Sequence, residues 1–247
     1  TPPDSSAASD VYKRQVGGNF RFLGGGAFWS NRIVYHWNKT VVEGLDVLDP
    51  ITRILDMSRI GPVLTFEDEA VRKGPPVTAM LVQNTNPAAV APDTNRVLKG
   101  LKRDDLFLCV HEQFLTETAQ LADIILPATM FLEHDDIYQA GGHMHLQIHR
   151  AVIGAPEQTR SNHWVINELA KRLGAQHPGF GMTEWELIDK TLLDSGWPSA
   201  DALLEQKWYD VQPSFADSHF LNGFPTSTGR FQSVSYTHLR AHETLTD

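Results

Sequence analysis

Three clusters of polar side chains follow apolar runs in a way that could support chemistry. The first is Asn84-Thr85-Asn86-Pro87, directly after VTAMLVQ (77–83). An Asn side chain donates and accepts at once, which suits the edge of a heterocyclic base. The same four residues also read as plain turn chemistry. The second is His111-Glu112, at the end of DLFLCVH (105–111). An acid just past a strand end commonly accepts hydrogen bonds from the two hydroxyls of a ribose; the alternative is a solvated loop acid. The third is HDDIYQAGGHMHLQIH (134–149). If extended, it puts His143, His145 and His149 on one face. With His134, Asp135 or Asp136 they would make a zinc or two-metal hydrolase site, although the spacing matches no established metal motif. The alternative is a polar sheet face or a ligand-facing loop.

The elements that must position these groups are legible from periodicity. Residues 77–83, 105–111 and 123–127 read as short, buried, proline- or turn-bounded strands. Between them, 92–103 reads as a helix with Val97 and Leu101 one turn apart, and 116–122 as a short helix capped by Thr116. Strand–helix alternation with short links predicts a Rossmann-like parallel sheet flanked by helices, an α/β fold with the three strands adjacent. Ligands of such sheets sit beyond the carboxyl ends of the strands. That points to Gln83–Pro87, His111–Gln113 and Pro127–Glu133. Residues 133–150 read as irregular or extended. A helix over 161–173 has Ser161 or Asn162 as its cap, Val165, Ile166, Leu169 and Leu173 as its apolar face, and Gly174 as its stop. It is expected to pack on the sheet together with 92–102. Residues 183–196 repeat the design, with Thr183 as cap and Glu186 three positions on. A shorter helix follows at 199–208.

Composition narrows the function classes. The 247 residues are 41% hydrophobic and 21% charged, ordinary for a soluble domain with a sizeable core. A net charge of −9 argues against nucleic acid as a partner. No apolar run approaches the roughly 20 residues of a membrane helix, so no direct membrane insertion is expected. The single cysteine, Cys109, excludes an internal disulfide and a cluster held by four thiolates of this chain. Mid-strand between Leu108 and Val110, it reads as a small buried apolar residue. The Gly24–Gly26 run is not G-x-G-x-x-G and follows no clear strand.

Three segments together resemble the central region of the molybdopterin oxidoreductases, the family of DMSO reductase, formate dehydrogenase and periplasmic nitrate reductase. They are LVQNTNPAAVAPD (81–93), FLCVHEQFLTETAQLADIILPATMFLEHDDIYQAGG (107–142) and TRSNHWVINELAKRLG (159–174). The most specific is TETAQLADIILPATMFLE (116–133), and FPTSTGRF (224–231) resembles the stretch before the family's C-terminal barrel. The resemblance implies a molybdopterin guanine dinucleotide cofactor (Mo-bis-MGD) and a small-molecule redox substrate. It implies cofactor contacts at Asn86, with Asn84 beside it, at His111 and Glu112, where the family often has Ser-Asp, and at His134 and Asn162. At the last two positions nitrate-reductase-like members carry Lys and Asp. No catalytic or metal-ligating residue is assigned here, because the family places its molybdenum ligand and any Fe–S cysteines upstream. An Fe–S cluster and an electron-transfer subunit belong to what the resemblance allows, as does a cytoplasmic or a periplasmic compartment. A zinc hydrolase and a non-catalytic nucleotide-binding module are the rival readings.

The expected organisation has five parts. Residues 1–15 and 234–247 read as non-native linker, 16–76 as a Gly- and aromatic-rich connector, 77–174 as the cofactor-binding domain part, and 175–233 as a helical extension. The chain is thus expected to be part of a larger enzyme and inactive alone.

Overall fold

The computed structural model describes residue 18 and residues 21–23, 34–224 and 226–230. The linker readings at both ends and the Gly24–Gly26 run lie outside these. The chain divides into two compact units, one of Trp37–Tyr138 with Gln147–Trp208, the other of Thr1–His36, Gln139–Leu146 and Tyr209–Asp247.

The elements of the larger unit that bear on the site include α1 (Ile60–Leu64), β1 (Ala79–Gln83), α2 (Pro87–Val90), α3 (Thr94–Leu101), β2 (Phe107–Glu112) and β3 (Ile124–Pro127). β4 (Asp136–Tyr138), β5 (His145–His149, of which Gln147–His149 belong to this unit), α4 (Asn162–Leu173), α5 (Glu184–Asp194) and α6 (Ala200–Gln206) follow. β1, β2 and β3 form a parallel sheet in that order. The register runs Ala79↔Phe107 to Gln83↔His111 on one side of β2 and Cys109↔Ile124 to Glu112↔Pro127 on the other. The α/β arrangement is the one that the strand–helix alternation predicts.

Period-2 alternation sends Val82, Leu108 and Val110 to one face, where they pack with Leu64 of α1 and Val97 and Leu101 of α3. α3 crosses α1 so closely that a Cβ at Gly100 would lie 2.4 Å from the Leu64 Cβ. The opposite face leaves Leu81, Phe107 and Ile124 exposed.

α4 starts where expected, with Ser161 Oγ accepting from the Trp164 N–H, and ends on Gly174 in the left-handed region at φ 70°. Its apolar stripe is only partly used. Val165 and Ala170 are buried, while Ile166, Leu169 and Leu173 are exposed. Among the described residues the core beneath the sheet takes nothing from α4, so the expected packing on the sheet holds for α3 and is not seen for α4. α5 carries the full capping box between Thr183 and Glu186.

Two other expectations are corrected. The helix expected over 116–122 is a single 3-10 turn, Ala119–Leu121. Thr118 is pulled across to Asn86 instead, and so short an isolated segment has little intrinsic helicity. The 133–150 stretch, expected to be irregular or extended, is extended in part, with β4 and β5 pairing antiparallel as Asp136↔His149, Ile137↔Ile148 and Tyr138↔Gln147. The last helix stops at Gln206, because Lys207 turns left-handed at φ 73° and Trp208 enters a strand. In the smaller unit, Tyr35 Oη donates to the His143 carbonyl at 2.7 Å and the Val211 N–H to the Met144 carbonyl at 2.9 Å.

Candidate cofactor cleft

The loops after β1, β2 and β3 end on one side of the sheet, as parallel strands require. Asn84 follows β1, Gln113 follows β2, and Thr129 stands two residues past the proline that ends β3. With His134, Asp136, Asn162 and Glu184 they line a cleft of about 440 Å³. Asn84 turns the chain with φ at +51°, a conformation that Asn tolerates better than most residues. Its N–H donates to the His111 carbonyl at 3.1 Å, and the residue itself is exposed. Asn162 opens α4, whose first-turn N–H groups favour negative charge. Ser161 Oγ also donates to the Glu184 carboxylate, tying the start of α4 to the start of α5.

The polar groups around the cleft are held in place. His134 Nδ1 is 2.8 Å from Thr129 Oγ1, and its Nε2 is 3.6 Å from an Asp136 oxygen. Gln113 Nε2 donates to the Thr129 carbonyl at 2.8 Å. Asp135 accepts from the Ala151 N–H and from Arg150, whose guanidinium lies 3.5 Å from the centre of the Trp185 ring. A larger hollow of about 900 Å³ shares Asp135, Ser161, His163 and Glu184 with the cleft. It takes nothing from the loops after β1 and β2 and only Asp135 from the connection after β3, and sheets of this kind bind at those loops, so the smaller cleft is the better candidate.

Of the six residues proposed from sequence, Asn84, His134 and Asn162 meet in the cleft. The other three stand outside its lining. Glu112 is half-buried, and its Oε1 accepts from the Gln113 N–H at 2.7 Å. Asn86 is spent on the fold: Oδ1 accepts from the Thr118 hydroxyl at 2.7 Å and the Thr118 N–H at 3.2 Å, and Nδ2 donates to Glu117 at 2.6 Å. That last bond holds the Glu117 carboxyl below the usual carboxylate range. His111 is fully buried with both ring nitrogens engaged, by Gln83 and by the Arg160 carbonyl. Gln113 and Thr129 lie within the segments picked by the strand-end rule, though no side-chain pattern marked them. The Ser161–Glu184 bond spans 23 positions and leaves no local signal.

The metal-hydrolase reading loses its geometry. His149 Nε2 is 2.8 Å from Tyr138 Oη, and its Nδ1 is 2.8 Å from the Arg150 carbonyl. Among the described residues no three His, Cys, Asp or Glu side chains gather to hold a metal. Cys109 is half-buried in β2, and burial pushes its thiol up, away from the thiolate a metal would need.

Residues 51–172 match the family model described as molybdopterin oxidoreductase. The chain is 38% identical over 160 residues to the probable oxidoreductase YoaE of Bacillus subtilis, covering 64% of this chain and 23% of that protein. Against the F420-dependent formate dehydrogenase subunit alpha of Methanocaldococcus jannaschii it is 33% identical over 111 residues, 45% of this chain and 16% of that one. Trimethylamine-N-oxide reductase 1 of Escherichia coli is 29% identical over 158 residues, 63% of this chain and 17% of the other. The solved acetylene hydratase from Pelobacter acetylenicus shares the fold, with a TM-score of 0.57 at 22% identity over 75% of this chain and 25% of that one. The chain spans about a quarter of the length of the first curated relatives it matches, 23% and 26%. The parallel sheet and the strand-end loops that build the cleft fall within the matched region, and the chain belongs to the molybdopterin oxidoreductase family.

Proposed function

We propose that this chain is part of a molybdenum-dependent oxidoreductase and that its cleft takes the nucleotide end of a molybdopterin guanine dinucleotide. The observation that carries the reading is the meeting of Asn84, His134 and Asn162 in one cleft at the carboxyl ends of three parallel strands. About 440 Å³ is within the usual range for small-molecule sites. The donor set suits a base, a ribose and phosphates: an exposed amide at Asn84, an imidazole at His134, and the first turn of α4. When bound, the group supplies two-electron or oxygen-atom-transfer chemistry at its metal.

The chain's own residues bind and orient. Glu112 stands outside the lining but next to the lining residue Gln113, whose N–H it accepts on Oε1, and its Oε2 is the acceptor proposed for the ribose hydroxyls. Asn86 and His111 act through the loops that they hold, because their polar atoms are already used. The partners that fit this reading are a small redox substrate and an electron-transfer subunit, in line with a relative named as the alpha subunit of a formate dehydrogenase. Among the described residues no helix is long and apolar enough to cross a membrane.

The test is molybdenum and guanine content per purified chain of the full-length parent. A carboxylate bonded to ribose hydroxyls contributes roughly 1.5–3 kcal/mol, so Glu112→Ala should lower cofactor retention by about one to two orders of magnitude. Glu112→Gln, which keeps one acceptor, should lose less. Full occupancy in Glu112→Ala would remove this residue from the site.

A further inference from the structure

We propose that His111 is the positioning residue of the cleft, an imidazole that clamps the loop after β1 to the segment entering α4. The inference rests on the functional reading above for what the cleft binds, but the clamp itself stands on geometry. His111 is 0% exposed. Its Nε2 lies 3.0 Å from the Arg160 carbonyl, which only accepts, so Nε2 carries the proton. Nδ1 is then the acceptor for the Gln83 amide at 3.1 Å.

Each partner continues into the cleft. The Arg160 carbonyl also accepts from the Thr129 N–H at 3.2 Å, and the Arg160 N–H donates to the Pro127 carbonyl at 3.0 Å. Ser161 and Asn162, which follow directly, cap and open α4. On the other side, the His111 backbone carbonyl accepts from the N–H of Asn84, the residue held at φ +51°. One side chain and its own carbonyl therefore set the positions of Asn84, Thr129 and Asn162, which line the cleft from separate parts of the chain. A rigid ring with a donor on one edge and an acceptor on another meets both demands at once. Gln reaches the far position with a donor, and Asn reaches only the near one.

That difference supplies the test. His111→Gln keeps a donor for the Arg160 carbonyl, while His111→Asn keeps the partner of Gln83 and loses Arg160. Both lose ring packing, so both should be destabilised to a similar degree. In the 247-residue chain, His111→Asn should speed amide exchange at Thr129 and Arg160 about tenfold more than at Leu108 and Val110, roughly one hydrogen bond's worth. His111→Gln should not. In the full-length parent, guanine content should fall about tenfold in His111→Asn and stay near wild type in His111→Gln. Guanine loss that tracks melting temperature equally in both variants, or is absent in His111→Asn, overturns the clamp. If the wild-type parent carries no guanine nucleotide, the functional reading fails and amide exchange alone decides the clamp. If neither variant folds, nitrogen NMR of the wild-type chain decides: a hydrogen-bonded proton on His111 Nε2 supports the proposal, and a ring with no proton there overturns it.

Discussion

Replacing Thr118 by Val keeps the side-chain shape and deletes one oxygen. Thr118 is fully buried, and its hydroxyl does two jobs. It donates to Asn86 Oδ1 at 2.7 Å and accepts from the Ala88 N–H at 3.0 Å. Ala88 sits in the first turn of α2, where backbone N–H groups have no partner within the helix. Asn86 occupies the N-cap position of α2 but makes no capping bond, so Thr118 caps the helix from 30 residues away. Val would remove a donor worth about 1 kcal/mol and leave a buried N–H unpaired at a cost of about 1–3 kcal/mol. The expected loss is about 2–4 kcal/mol, or at least roughly 5 °C in Tm for a chain of this size. Thr118→Ser keeps the oxygen and should cost about 1 kcal/mol or less. Urea unfolding of the three proteins, read by far-UV circular dichroism, measures both differences. A Thr118→Val protein within about 0.5 kcal/mol of wild type, or a Ser variant weaker than the Val variant, would refute the capping argument. The stake reaches the cleft, because this bond anchors the loop that carries Asn84.

Two further outcomes follow from packing and protonation. Gly100→Ala should destabilise by about 1–3 kcal/mol despite the better helix propensity of Ala, because the new Cβ would meet the Leu64 Cβ at 2.4 Å. Adding Leu64→Ala should not rescue it, since the obstructing atom remains; rescue in the double mutant would show that the close contact is misplaced. Burial, with the negative charge of Asp136 behind it, pushes the Tyr138 hydroxyl up to about 12. The folded state thus keeps this proton while the unfolded chain gives it up near pH 10. The stability this contributes is complete below about pH 10 and disappears as pH rises towards about 12. Unfolding titrations of wild type and Tyr138→Phe should diverge across that window, and parallel curves would dismiss the shift.

The sequence by itself determined the local elements. Apolar runs of strand length, their bounding prolines and the signals at Ser161, Thr183 and Gly174 act over a few residues, and the structure uses them as they stand. The strand-end rule likewise located the cleft, since topology places every carboxyl end of a parallel sheet on one side. Only the tertiary structure decided which of the candidate side chains line the cleft. Asn86 and His111 carry the right groups at the right strand ends, yet Thr118, Glu117, Gln83 and Arg160 claim them. Buried polar atoms must find partners wherever the fold brings them, and those partners are 28–49 residues away, a distance at which no local pattern records the pairing.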